Sequence, residues 1–193
     1  MPPAGEGRLH NSAMANDATT TTYAIQRKGL LRPEHGFHLD GKPVGMLTLS
    51  HGRGMVIAGH WSPLSGEVLR MRRDPGLLRS QFSLWTEGQE WLGSSLRPHF
   101  LRREIRLHTG SRPLRMLPLT GLRPGWVLQA PKTGDMARFY LPLLAGPARI
   151  EVYRKMEFEL VVFAYFLSVQ LRAESLWPGP AEASERSAAR LAG

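Results

Sequence analysis

The side chains in this sequence best suited to hold a ligand are arginines set one to four residues apart. VLRMRR carries Arg70, Arg72 and Arg73, and LRREIRL carries Arg102, Arg103 and Arg106. On an extended strand, side chains alternate between faces, so Arg70 and Arg72 share one face and Arg102 and Arg106 share another. Two guanidinium groups side by side can grip phosphate oxygens through paired, charge-assisted hydrogen bonds. A solvated strand whose apolar residues point inward produces the same spacing, so the pattern alone leaves both readings open. The surroundings are basic: the net charge is +9, and residues 97–154 hold eleven Arg and Lys against Glu104, Asp135 and Glu151. Such a surface attracts lipid headgroups, phosphates and nucleic acid alike.

Other chemistry finds little support. There is no cysteine, which excludes disulfides, thiolate nucleophiles and cysteine-bound zinc. Walker A, GxGxxG, GxSxG and HExxH patterns are missing, so no cofactor is implied and no catalytic or metal-binding set is assigned. Ser65-Gly66 reads as a hairpin turn, and the glycines of GRG at 52–54 as a loop. His35 and His38 would point to opposite faces of a strand, and the histidines as a group read as surface or turn residues. Asp40, Asp74 and Asp135 each adjoin Gly or Pro, where turn chemistry explains an aspartate better than calcium does. Glu87 and Glu90 flank a turn in water, with nothing to raise either pKa into the range of a general acid. The five tryptophans are scattered, as core or rim packing would have them, rather than clustered as a base-stacking platform.

The elements that must position the arginines read as short strands in hairpin succession. FHLDGKPVGMLTL turns at Asp40-Gly41, WSPLSGEVLRMRR at Ser65-Gly66 and QFSLWTEGQEWLGSS at Glu87-Gly88. FLRREIRLHTGSRPLRMLPL turns at Thr109-Gly110, and WVLQAPKTGDMARFYLPLL at Thr133-Gly134-Asp135. IEVYR, from Ile150 to Arg154, is the last strand candidate. Ten or eleven strands at this spacing predict an antiparallel barrel or sandwich.

A different kind of segment follows. Leu160–Leu171 is an uncharged run of twelve residues. As a helix it would be about 18 Å long, against the roughly 30 Å of a bilayer's hydrocarbon core. It is apolar on nearly every side, so it lacks the polar face that an interfacial helix needs. A helix of this kind must be buried all round. A closed sheet wrapped about it satisfies both halves of the chain: the sheet loses its edges and the helix fills the lumen. The expected architecture is mainly β: a closed antiparallel barrel of about 10–12 strands around a buried helix at about 157–172. Residues 1–22 read as a disordered leader, with Met14 a second possible start, and residues 178–193 as a flexible tail.

This order resembles the tubby-like superfamily of tubby C-terminal domains, phospholipid scramblases and LURP-one-related proteins. The resemblance spans about Tyr23 to Trp177 and rests on YAIQRKGL, FHLDGKPVG, SGEVLRMRR and EFELVVFAYFLSVQL. It implies a barrel of roughly twelve strands around a hydrophobic C-terminal helix. In tubby domains it also implies phosphoinositide binding by basic residues on the barrel's exterior. The cysteine-rich palmitoylated segment of scramblases has no counterpart here. The function expected is therefore non-enzymatic: an anionic lipid headgroup or phosphate ligand held on the outer face by Arg70, Arg72, Arg73, Arg102, Arg103 and Arg106. The setting expected is cytoplasmic, peripheral to a membrane at most, with no spanning segment. A basic barrel binding nucleic acid, a protein-interaction scaffold and a lipocalin-like ligand carrier are the alternatives. The last depends on where the helix lies.

Overall fold

A computed structural model describes residues 20–29, 33–52, 55–74, 81–98, 104–110, 112–120, 124–142 and 146–176. The stretches read as leader and tail lie outside these residues, apart from Thr20–Thr22. Twelve strands run in order: β1 Thr21–Lys28, β2 Glu34–Leu39, β3 Lys42–Gly52, β4 Met55–Pro63, β5 Leu69–Arg73 and β6 Phe82–Thr86, then β7 Trp91–Leu96, β8 Ile105–His108, β9 Pro113–Pro118, β10 Gly125–Ala130, β11 Gly134–Tyr140 and β12 Ala148–Val152. Each bonds antiparallel to its sequence neighbours, and β12 returns to β1 with Tyr23 opposite Ile150, so the barrel closes with no free edge. One helix, α1 Phe158–Leu176, follows. The expectation of a closed barrel around a C-terminal helix is met. The helix runs four residues past the expected end, and the last strand starts two residues before Ile150.

Turn chemistry explains the hairpins. Asp40 and Gly41 both take positive φ, 51° and 76°, as a two-residue hairpin turn requires. Gly66, Gly110 and Gly134 also occupy the left-handed region. The turn expected at Glu87-Gly88 lies there, and its positive φ of 68° falls one residue later, on Gln89. There Thr86 carries the turn, its Oγ1 accepting from the Glu90 N–H at 3.1 Å.

Inward positions follow the pleat from strand to strand. Leu49, Gly59, Met71, Leu84 and Gly93 form one lumenal row across β3 to β7. Glycine in this row makes room for the helix. A Cβ on Gly59 would lie 2.8 Å from Phe166 of α1 and 3.1 Å from the Met71 sulfur. A bulge between Phe37 and His38 shifts the β2–β3 register, placing Leu47 and Leu49 in the core and leaving Met46 partly exposed.

From Leu160 through Ser168 every helix residue is buried. Phe163, Ala164 and Phe166–Ser168 have no exposed surface at all. Aromatic edges grip the helix: Phe82 meets Phe166 at 5.1 Å, and Phe37 meets Tyr165 at 5.2 Å, both edge to face. Because β12 ends at Val152 and α1 starts at Phe158, the helix enters the lumen at the mouth where the β2–β3 and β4–β5 turns lie. It emerges at the other, where the Arg172 guanidinium donates to the Pro142 carbonyl. Among the described residues no helix is long and apolar enough to cross a membrane.

One polar pair sits inside this apolar contact. His35, expected at the surface, faces inward between Arg27 and Leu47 and is 4% exposed. Its Nδ1 lies 2.8 Å from the Tyr165 hydroxyl, and its Nε2 has no hydrogen-bond partner among the described residues. Burial first, then the charges of Arg27 and His51, lower its pKa from 6.5 to about 4. The alternation that puts Phe37 inside puts His35 there too, and its polarity hid that from the sequence pattern.

Two consequences can be measured. Gly59→Val should lower stability by about 3 kcal/mol, because neither Phe166 nor the β4 backbone has space to retreat; an unchanged melting temperature would mean that α1 does not press on β4. His35 is neutral when folded and titrates near 6.5 when unfolded, so its contribution is intact above pH 6.5 and lost as pH falls toward 4. The loss is on the order of 3 kcal/mol when complete. Tm measured against pH should fall less steeply over that window for the His35→Leu/Tyr165→Phe double variant than for the native chain, and equal slopes would contradict the assignment.

Candidate anion-binding face

Residues that alternate with the core project from the outer wall, and the register shows which ones meet. Arg70 stands between His60 and Trp85, and Arg72 between Ala58 and Ser83. They share the outer face, as their spacing predicts. Arg73, directly opposite the buried Phe82, takes the inward parity at the end of β5. Arg106 on β8 stands between Leu96 and Arg115. Arg102 and Arg103 lie outside the described residues. The Arg72 row reaches β8 at His108, across Ser83 and Ser94. Three strand-to-strand steps of about 4.8 Å therefore separate the β5 arginines from β8, so Arg70 and Arg72 do not stand beside Arg106.

Their electrostatic surroundings differ. Arg70 is engaged: its Nη2 donates to Glu87 Oε1 at 3.2 Å, with Glu87 in open solvent. An exposed pair of this kind contributes little to stability. Beside it the Trp85 indole N–H donates to Ser83 Oγ at 2.8 Å, and Ser83 Oγ donates to Asp74 at 2.5 Å. Ser83, which stands opposite Arg72, is thus committed to Asp74, and Arg72 is exposed with no ion pair among the described residues. The β10–β12 arc is neutralised by its own side chains. Asp135 accepts from Arg138 Nη2 at 2.8 Å and from Gln129 at 2.8 Å. Partial burial opposes the charge on Asp135, but the hydrogen bonds from Arg138 and Gln129 prevail and hold its pKa below the ordinary value. Glu151 likewise gathers Tyr153, Tyr140 and Arg149.

The β8–β9 arc is less fully compensated. Arg106 and Arg115 lie directly opposite one another across the strand pair, where like charges repel. Glu104 approaches Arg106 Nε at 3.5 Å but makes no hydrogen bond with it. Arg115 is exposed, has no ion pair among the described residues, and is flanked on its other side by Gln129, whose amide is committed to Asp135. Sequence reading missed Arg115. Its place on the outward face was legible in PLRMLP, but its pairing with Arg106 depends on a register that only the fold supplies.

No known protein family and no curated protein matches the chain in sequence. Among solved structures, the X-ray structure of a protein from Arabidopsis thaliana matches with a TM-score of 0.53 at 14% identity, covering 78% of this chain and 90% of that one. That likeness shows a shared fold.

A like-charged pair in register predicts a measurable repulsion. Replacing Arg115 with Thr should raise stability by about 0.5 kcal/mol at low ionic strength, and the gain should vanish in high salt. Destabilisation at low salt would show that Arg115 already has a partner.

Proposed function

We propose that this chain is a non-enzymatic, tubby-like barrel of the LURP-one-related kind that binds an anionic ligand on its outer wall. The ligand is a lipid headgroup or a phosphate group, and Arg106 and Arg115 form the centre of the site. The observation that carries this reading is the Arg106–Arg115 apposition: two exposed arginines directly opposite one another on adjacent strands, incompletely neutralised, while the neighbouring arc pairs its own charges. A bridging phosphate would relieve their repulsion and accept hydrogen bonds from both. Arg72 stands on the same outer face three strands away, and Arg102 and Arg103 lie outside the described residues. The family resemblance supports the reading, since tubby domains carry such ligands on the barrel exterior; the likeness to the Arabidopsis structure supports the fold beneath it. The lumen is filled by α1, which disfavours a lipocalin-like carrier.

Sedimentation with vesicles tests the proposal. At physiological salt the native chain should pellet with vesicles containing phosphatidylserine or phosphoinositide and stay in solution with phosphatidylcholine alone. Arg106→Glu/Arg115→Glu should weaken binding by about tenfold or more, whereas Arg149→Glu, on the self-neutralised arc, should change it little. Competition by inorganic phosphate would assign the site to phosphate itself rather than a membrane surface. Vesicle binding that survives the double reversal, or binding only to nucleic acid, would overturn the reading.

A further inference from the structure

A second site lies at the mouth where the helix enters, a quarter of the barrel that the outer-face reading does not involve. Between Val152 and Phe158 the chain must leave the wall and turn into the lumen. The turn leaves a cavity of about 560 Å³ between this linker, the start of β1 and the first turn of α1. That volume falls within the roughly 300–1,000 Å³ usual for small-molecule sites.

Its lining has two characters. The inner part is apolar and aromatic: Tyr23 and Phe158, whose rings are 5.3 Å apart, with Val152, Met156 and Val161. Phe158 is backed by Trp61 at 5.6 Å and Phe37 at 6.3 Å, so this inner surface is anchored to the core. The rim is cationic. Arg154 and Lys155 are consecutive and exposed, and neither has an ion pair among the described residues. The nearby Glu157 and Glu159 do not line the cavity, and Glu151 is occupied by Tyr153, Tyr140 and Arg149. No acid within the cleft cancels the two cations.

We propose that this mouth binds a small amphipathic anion, with its carboxylate, sulfonate or phosphate on Arg154 and Lys155 and its apolar body against Tyr23 and Phe158. The aromatic wall offers an apolar surface that water covers poorly, and the paired cations orient the ligand with its head outward. Either part alone would be an ordinary piece of surface; side by side around one concavity they select a molecule having both.

The probe is 11-(dansylamino)undecanoic acid, titrated into the full chain and followed by dansyl fluorescence, with its neutral amide as comparison. The acid should bind with enhanced, blue-shifted emission and the amide at least about tenfold more weakly. Arg154→Glu/Lys155→Glu should abolish the preference for the acid. Thr21→Trp, which puts a bulky side chain in the lining, should block both compounds while circular dichroism shows the native fold. Arg106→Glu/Arg115→Glu should leave the titration unchanged, which separates this site from the outer face. Equal binding of acid and amide, or binding indifferent to both the charge reversal and Thr21→Trp, would overturn the proposal.

Discussion

The architecture depends on one helix that has no face fit for water. Leu160–Ser168 is apolar in nearly every direction, and each of its residues is buried. An amphipathic helix can lie on a sheet; this one must be enclosed. Enclosure requires a wall that closes, and a closed antiparallel wall built from successive hairpins requires an even number of strands to bring the last beside the first in the antiparallel sense. Twelve strands meet that condition, with β12 pairing to β1. The wall must also yield where the helix presses, as Gly59 does beneath Phe166.

Filling the lumen confines ligand chemistry to the outside wall and the two mouths. The helix occupies the interior along its buried stretch, where the Tyr165 hydroxyl meets His35 and Ser168 Oγ donates to the Ala164 carbonyl. On the wall, alternation forces half of each strand outward, and the outward half is rich in arginine. What separates ordinary solvation from a candidate site is charge balance along the circumference. The β10–β12 arc satisfies its own charges through Asp135 and Glu151, and the β8–β9 arc leaves Arg106 and Arg115 facing each other.

Much of this could be read from the sequence, and the failures have physical causes. The helix was legible because an uncharged run too short for a bilayer and lacking a polar face has few other destinations. The hairpins were legible because Asp40-Gly41, Gly66, Gly110 and Gly134 occupy backbone conformations that few other residues accept. The Glu87-Gly88 turn was legible too, but the positive φ at Gln89 was not, because the Thr86 side chain, through its bond from the Glu90 N–H, supports a conformation that local glycine preference does not reveal. His35 was misread because its partner lies 130 residues away. The same limit applied to Arg115 and to the entrance cleft: both are products of which strand lies beside which, and residue types do not encode that locally.

The position of α1 after all twelve strands has a consequence for biogenesis. During synthesis the barrel's lumenal side chains emerge before the segment that will cover them, since Ile25 and Phe37 precede Phe166 by more than a hundred residues. Until the helix is made, a nascent sheet exposes an oily groove and two unpaired edges, the conditions under which β-rich chains associate wrongly. Closure of β1 onto β12 is itself a contact of high sequence separation and therefore slow. The central helix thus has a temporal role besides its spatial one: its arrival on the ribosome marks the moment at which the strands first have something to fold around.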